Sequence, residues 1–209
     1  MESAGKQPNT RIPARQLATM ALFIALGAVL SFIEFPLLPG AAFLKYDAAL
    51  VPALLAGFAY GPLAGCIVAT LTPWIHALMD GNLWGGLMNN VINIAYLLPA
   101  ALIYKASRGL KKPASGATMP GINTAAPGIP AKGMSGNIAL FVGLAVACVL
   151  AVAAAIAMNL VVTPIYTGMP LQAIIDMILP ILLPFNILKT LLNSVLGFVL
   201  MKSLHSFIK

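Results

Sequence analysis

Long apolar runs alternate along the chain with short breaks rich in proline, glycine and charged residues. A helix rises about 1.5 Å per residue and the hydrocarbon layer of a bilayer is about 30 Å thick, so an uncharged run of about 20 residues indicates a membrane-spanning helix. Runs of this kind cover residues 17–33, 85–104 and 137–162. The pattern therefore predicts a helical membrane protein rather than a soluble domain.

The uncharged stretch at residues 48–79 is too long for one span and short for two full ones. Glycine bends freely and proline is favourable in the first turn of a helix, so the Gly-Pro pair at 61–62 is the natural place to divide this stretch. We expect a short helix over 48–60 and a longer helix over 62–79, followed by a turn at 80–84.

The C-terminal region is expected to contain the last span. The segment "TPIYTGMP" at 163–170 should end the fifth span, because its two prolines and its glycine disfavour a helix. Pro180 and Pro184 should then divide residues 173–207 into a short surface helix and a sixth span. The sequence thus predicts an all-α, polytopic membrane protein with six transmembrane helices.

Residues 106–136 form a basic segment rich in proline, glycine, alanine and serine, without apolar periodicity. Such a composition is typical of a flexible loop. It would join spans four and five on the cytoplasmic side, and the whole chain, 1–209, would form a single membrane domain.

The charged residues are few, 8% of the chain against 60% hydrophobic residues, and they separate by predicted side of the membrane. All lysines and arginines except Lys45 and Lys189 fall on the side of the two termini, so the positive-inside rule predicts cytoplasmic termini. The acidic residues on the opposite face are Glu34, Asp47, Asp80 and Asp176. The net charge of +7 is therefore a signal of topology, and we expect no nucleic-acid partner.

Reactive side chains are not grouped for catalysis along this chain. Cys66 and Cys148 lie in apolar runs without metal-ligand spacing, and His76 and His205 are far apart. We interpret His76 as an interfacial or helix-packing residue. The sequence also contains no GxxxxGK[ST] phosphate loop, so a partner would have to hydrolyse ATP if the chain uses it. We expect no enzymatic activity, no metal site and no cofactor.

A lysine lies within the last apolar run, in "PFNILKTLLNS" at residues 184–194. A charge at the centre of a membrane helix costs roughly 2.5 to 3.5 kcal/mol on insertion scales, so its presence calls for a partner or a function. Asn186, Lys189 and Asn193 share one helical stripe at i, i+3 and i+7, and they could line one cavity. The alternative is a lysine whose long side chain reaches outward to the membrane surface.

Further asparagines occur at a similar predicted depth. Asn159 lies near the outer end of span five, and Asn89 and Asn90 near the outer end of span four. If these face inward with the lysine, they form a pocket open to the outside that suits a neutral, flat molecule rich in hydrogen-bonding groups. The alternative is a membrane scaffold in which the amides only hold helices together.

Several segments together resemble the riboflavin-specific substrate-binding (S) components of energy-coupling-factor (ECF) vitamin transporters. The last of them is the most specific, because it combines Pro184, Phe185, Asn186 and Lys189 with a following Asn-Ser pair. The resembling segments are "FLKYDAALVPALLAGFAYGPLAG", "MNNVINIAYLLPAALIYK", "NLVVTPIYTGMP" and "ILPILLPFNILKTLLNSVLGFVLMK".

The resemblance implies a six-helix protein of the prokaryotic plasma membrane that binds riboflavin, as transported ligand, in an outward-facing cavity. It implies that Asn159, Asn186 and Lys189 contact the flavin ring, and that Asn89 matches a fourth-span asparagine. It also implies that the first outer loop covers the ligand through Leu44, Lys45 and Asp47.

The resemblance also implies partners, namely a transmembrane coupling subunit and, through it, two ATPase subunits. The "AxxxA" motif of span one, Ala21 and Ala25, matches the motif by which such components dock. Two departures bear on ligand choice: "AAL" at 48–50 replaces an expected polar, acidic segment, and Gly85 and Gly86 stand where an acidic residue is expected. An S component for another vitamin or related heterocycle remains an alternative.

Overall fold

The computed structural model describes residues 14–39, 41, 44–109 and 136–207. Within these ranges the chain forms seven α-helices, one two-stranded ladder and a π-helical turn at Ile178–Leu182. The helices are α1 Ala14–Ser31, α2 Leu50–Tyr60, α3 Pro62–Asp80, α4 Leu83–Gly109, α5 Gly136–Thr167, α6 Leu171–Met177 and α7 Leu183–Phe207, and the strands are β1 Phe35–Pro36 and β2 Lys45–Tyr46.

Five helical segments of the described chain are long and apolar enough to cross a membrane. They are α1, α3, α4, α5 and the nearly continuous segment Leu171–Ser203, which contains α6, the π-helical turn and most of α7. The second predicted span is α2, an apolar helix of 11 residues. At about 1.5 Å per residue it extends about 16 Å, roughly half the hydrocarbon thickness, so it is too short to cross the layer by its own length. The prediction of six spans therefore stays a prediction.

The division between α2 and α3 falls where the sequence predicts it. Gly61 has a φ of +100°, which side chains other than glycine rarely adopt, and Pro62 opens α3. The two helices then pack closely, because a Cβ on Gly65 would lie only 2.7 Å from the Cα of Gly57. These glycines serve helix packing.

Helix ends differ from the predictions at the prolines. Pro164 lies inside α5, which continues to Thr167 and ends where Gly168 adopts a φ of +70°. A proline removes only the hydrogen bond to the carbonyl four residues earlier, and here the helix tolerates that loss in its last turn. Pro180 lies in the π-helical turn, so the last region bulges instead of breaking.

The boundary of the fourth span also differs. Helix α4 extends to Gly109, past the predicted start of the following loop at 106. The central part of that predicted loop, 110–135, lies outside the described residues.

The helices form a bundle in which α3 packs against α1, α2 and α4, and α5 packs against α4 and α7. Helix α2 also contacts α1, α4 and α7. The apolar core between them contains fully buried side chains, among them Leu54, Val68, Tyr96, Leu97 and Ala147.

The first loop folds back on itself between α1 and α2. Strands β1 and β2 pair antiparallel, with Phe35 opposite Tyr46 and Pro36 opposite Lys45. The rings of Phe35 and Tyr46 meet edge to face with centroids 5.5 Å apart, and Tyr46 is buried. The loop is thereby fixed against the bundle next to the start of α2.

A polar cavity at one end of the helix bundle

A cavity of about 610 Å³ lies at one end of the bundle, within the size range of small-molecule sites. It is lined by the C-terminal ends of α1, α3 and α5 and the N-terminal ends of α4 and α7. Representative lining residues, one from each of these helices, are Ser31, His76, Asn159, Asn89 and Asn186. The opposite end of the bundle carries Arg15, Lys105 and Lys202.

All the residues predicted from the sequence to bind substrate line this cavity. Four separate segments contribute them: the first loop, α4, α5 and α7. They are Leu44, Lys45, Asp47, Asn89, Asn159, Asn186 and Lys189. The structure thus brings the whole set to one void, and their contacts with a ligand stay a prediction.

Lys189 faces the cavity and has a partner. Its Nζ lies 3.3 Å from Oδ2 of Asp47, and the two side chains are 14% and 20% exposed. The other oxygen of Asp47, Oδ1, accepts the backbone N–H of Ala49 at 3.0 Å. A charge inside a membrane is tolerated when it is paired or faces a polar cavity, and Lys189 satisfies both conditions. The lysine therefore does not simply reach outward to the membrane surface.

The two amides predicted to contact a ligand are held by their own helices. The Nδ2 of Asn186 donates to the carbonyl of Leu182 at 2.7 Å, and the Nδ2 of Asn159 donates to the carbonyl of Ala155 at 2.8 Å. A carboxamide has two N–H donors and an oxygen with two lone pairs, so each retains hydrogen-bonding capacity. The side chains are oriented in advance, which favours binding of a rigid, hydrogen-bonding ligand.

Asn193 does not line the cavity, contrary to the prediction for its stripe. It is 1% exposed and its Oδ1 accepts a hydrogen bond of 3.1 Å from the hydroxyl of Tyr46. Asn193 lies two turns, about 10 Å, further along the helix than Asn186, so it meets the first loop instead of the cavity. Burial, together with the charge of Asp47, raises the pKa of Tyr46 to about 12, which keeps its hydroxyl protonated as the donor. Asn90 is likewise not among the cavity-lining residues.

Lys45 and Asp47 lie close together in the first loop but do not pair with each other. Lys45 instead forms an ion pair with Glu34, and the two side chains are 47% and 30% exposed. The hydrogen bond and charge of Glu34 raise the pKa of Lys45, and the charge of Asp80 adds to this effect. All three residues line the cavity, so a group of charges lies at its mouth.

His76 packs between helices, as its interpretation from sequence states. Its Nδ1 lies 2.9 Å from the Oγ of Ser31, and its ring centroid lies 4.7 Å from that of Phe32. It nevertheless lines the cavity together with Ser31 and Thr72. Thr72 is 2% exposed, and its hydroxyl has no hydrogen-bond partner among the described residues.

Sequence reasoning missed several other lining residues that lie one or two turns from predicted ones. Helical spacing would have identified them, because residues at i+3, i+4 and i+7 share a face. They are Thr163 and Tyr166 after Asn159, Ile92 and Asn93 after Asn89, and Phe185, four residues before Lys189.

Ala21 and Ala25 lie elsewhere, on the exposed face of α1. The large side chains on this face are exposed as well, among them Leu22 and Val29. The opposite face of α1 packs inward through Met20 and Gly27. The predicted docking motif therefore faces the surroundings of the bundle.

Helices of membrane-spanning length thus surround a cavity of small-molecule size. A family model described as "ECF transporter, substrate-specific component" matches residues 15–201, nearly the whole chain. The protein belongs to this family. The family is one of transporter components.

Two relatives carry the name of riboflavin transporters. The chain is 37% identical over 98 residues to "Riboflavin transporter RibU" of Staphylococcus aureus (strain TCH60), which covers 46% of this chain and 52% of that protein. It is 30% identical over 96 residues to "Riboflavin transporter FmnP" of Bacillus subtilis (strain 168). This aligned part covers 44% of this chain and 50% of that protein. The chain thus matches about half the length of these relatives.

The fold also matches a solved structure described as "Structure and mechanism of the S component of a bacterial ECF transporter". The TM-score is 0.69 at 28% sequence identity, and the match covers 93% of this chain and 98% of the other. Sequence and fold thus agree on the family.

Proposed function

We propose that this chain is the riboflavin-binding component of an ECF transporter and takes up the vitamin from outside the cell. Flavin is the cargo in this proposal, and no cofactor takes part. The two relatives named as riboflavin transporters support this ligand. An S component for another heterocycle is the alternative that the binding experiment below tests.

The observation that carries the proposal is the convergence of Asn159, Asn186 and Lys189 on one cavity. A flavin ring presents a carbonyl, an imide N–H and a second carbonyl along one edge, and carboxamides complement such an edge. A membrane scaffold would need these side chains only for helix packing. The void beside them supports a binding function.

The distribution of charge supports an orientation with cytoplasmic termini in the plasma membrane of a prokaryote. Arg15, Lys105 and Lys202 lie at the end of the bundle away from the cavity, and basic residues favour the cytoplasmic side. The cavity then opens outward. In a six-span topology, the short helix α2 and the first loop before it would together form one of the crossings.

Transport against a gradient requires energy that the chain does not supply by a phosphate loop. In our proposal a transmembrane coupling subunit docks on α1 through Ala21 and Ala25 and links this chain to two ATPase subunits. Family membership as a substrate-specific component supports such an assembly.

The experiment is a titration of purified protein in detergent with a panel of vitamins. We expect riboflavin to bind with a submicromolar Kd and to lose fluorescence on binding, because the cavity encloses the ring among polar and aromatic side chains. Thiamine and biotin serve as control ligands of other ring chemistry. If the protein binds thiamine or biotin tightly and does not bind riboflavin, the proposed ligand is rejected, and the protein would be an S component for another vitamin.

A further inference from the structure

A buried polar contact joins three helices deeper in the bundle than the cavity. The phenol of Tyr96, on α4, is 0% exposed and forms a hydrogen bond with the hydroxyl of Ser194, on α7. The Sγ of Cys148, on α5, lies 3.1 Å from the same hydroxyl. None of these three residues lines the cavity, so none of them is placed to touch a ligand there.

The count of protons and lone pairs assigns a role to each group. Ser194 donates its one proton to the carbonyl of Thr190 at 2.8 Å. Its oxygen has two lone pairs, so it accepts from the hydroxyl of Tyr96 and from the thiol of Cys148. The Tyr96 oxygen also lies 3.4 Å from the Thr190 carbonyl, a longer and weaker contact. The Ser194 hydroxyl is thereby saturated, and a fully satisfied buried polar group favours one arrangement of the helices around it.

This contact lies below the amides that face the cavity. Tyr96 follows Asn89 by seven residues on α4, and Ser194 follows Asn186 by eight on α7, which is about 10 to 12 Å along each helix. The main neighbours of α4 are α3 and α5, and those of α7 are α5 and α2. Tyr96 therefore ties α4 directly to α7 at a level where the two helices do not pack extensively against each other.

We infer that Tyr96 is a positioning residue of the binding site. Through Ser194 it fixes α7, and with it Asn186 and Lys189, at the separation from α4 and α5 that a ligand requires. Binding groups must be held within about 0.5 Å of their productive geometry, so a shift of one helix is enough to weaken the site. This inference rests on the proposed function and adds a residue that acts on the ligand without touching it.

The test titrates riboflavin into the purified full chain in detergent. Tyr96→Phe keeps the ring and removes the hydroxyl, Ser194→Ala removes the acceptor, and Ser194→Thr keeps a hydroxyl at this position. The control is Tyr60→Phe, which removes the hydroxyl of an exposed tyrosine at the far end of α2. The Tm of each ligand-free variant is measured as well, so a loss of stability is separated from a loss of affinity.

We expect Tyr96→Phe to weaken riboflavin binding about three- to tenfold, because it removes one buried hydrogen bond. Ser194→Ala should weaken binding at least as much. Ser194→Thr and Tyr60→Phe should stay within about twofold of wild type, because the hydroxyl of Ser194 or its partner is retained. The double variant Tyr96→Phe/Ser194→Ala should lose no more affinity than the more severe single variant, since both substitutions remove the same bond.

Two further measurements separate positioning from helix packing alone. In an Asn186→Ala background, Tyr96→Phe should weaken binding by less than about twofold, because a ring contact whose placement it controls is already gone. At saturating riboflavin, Tyr96→Phe should change the shape of the visible absorption band of the bound flavin, since this band responds to hydrogen bonds on the ring. A role in packing alone would leave the band unchanged and the two substitutions additive.

Wild-type affinity in both Tyr96→Phe and Ser194→Ala would overturn the inference, whatever the change in Tm. An undiminished effect of Tyr96→Phe in the Asn186→Ala background would overturn it too. Riboflavin binding by the wild type would survive either result, and the proposed function with it. A wild type that does not bind riboflavin would instead reject the proposed function itself.

Discussion

The orientation of Lys189 can be predicted from the sequence, whereas its ion-pair partner cannot. Its position in an apolar run predicts an inward-facing cation, because a charge in lipid is expensive, and the structure places it at the cavity. Its partner Asp47 lies 142 residues earlier in the chain, and no local pattern connects the two. The spacing of Asn193 predicts that it lines the cavity, but in the structure its side chain accepts a hydrogen bond from Tyr46 of the distant first loop. Spacing on one helix gives a shared face and does not give what packs against that face.

Replacement of Lys189 or Asn186 by alanine should weaken riboflavin binding at least about tenfold, equivalent to about 1.4 kcal/mol, because each removes a preoriented polar contact with the ring. Titration in detergent measures the Kd of each variant. Lys202→Ala is the matched control, since Lys202 is exposed at the opposite end of the bundle. If both cavity variants bind riboflavin with wild-type affinity, Lys189 and Asn186 do not belong to the binding site.

At the scale of elements, apolar runs predicted the position of each helix, because hydropathy is a local signal. The helix ends were harder to predict. The sequence predicts helix breaks at Pro164 and Pro180, yet α5 continues past Pro164 and a π-helical turn accommodates Pro180. The short ladder of β1 and β2 had no sequence signal of its own. Tyr46 of this ladder is anchored on α7 by a tertiary contact, and Lys45 pairs with Glu34 within the loop itself.

The contact between Tyr46 and Asn193 makes Tyr46 a positioning residue for the first loop. Tyr46 precedes Asp47, so the buried hydroxyl fixes where that carboxylate meets Lys189. Tyr46→Phe keeps the ring and removes the bond, and a hydrogen bond of this kind contributes about 1 kcal/mol. We expect riboflavin to dissociate about fivefold faster from this variant, measured by stopped-flow fluorescence with excess competitor.

Tyr60→Phe is the control for this experiment, because Tyr60 lies at the far end of α2 and is 40% exposed. Asn193→Leu should accelerate dissociation as well. The double variant should release riboflavin no faster than the more severe single variant, because both substitutions remove the same hydrogen bond. Additive effects of the two substitutions would contradict a shared role.

At the scale of the whole molecule, the bundle separates two surfaces. The cavity occupies one end, while the exposed face of α1 with Ala21 and Ala25 lies on the lateral surface, away from the lining residues. The sequence could predict this face only through its resemblance to a family, because an "AxxxA" pattern is also common in internal helix packing. The structure shows that this pair is not used to pack helices within the described bundle, which leaves it available to another protein.

Replacement of Ala21 and Ala25 by tryptophan should therefore abolish riboflavin uptake by cells that contain the coupling subunit and ATPases, while riboflavin binding by the purified protein stays within twofold of wild type. Small residues allow helices to approach closely, and two indole rings would hold a partner helix away. Ala145→Trp, on an exposed position of α5, controls for bulk at the lipid-facing surface. If uptake persists in the double variant, the coupling subunit docks on another face. If the purified double variant loses riboflavin binding as well as uptake, α1 supports the cavity and the two surfaces are not independent.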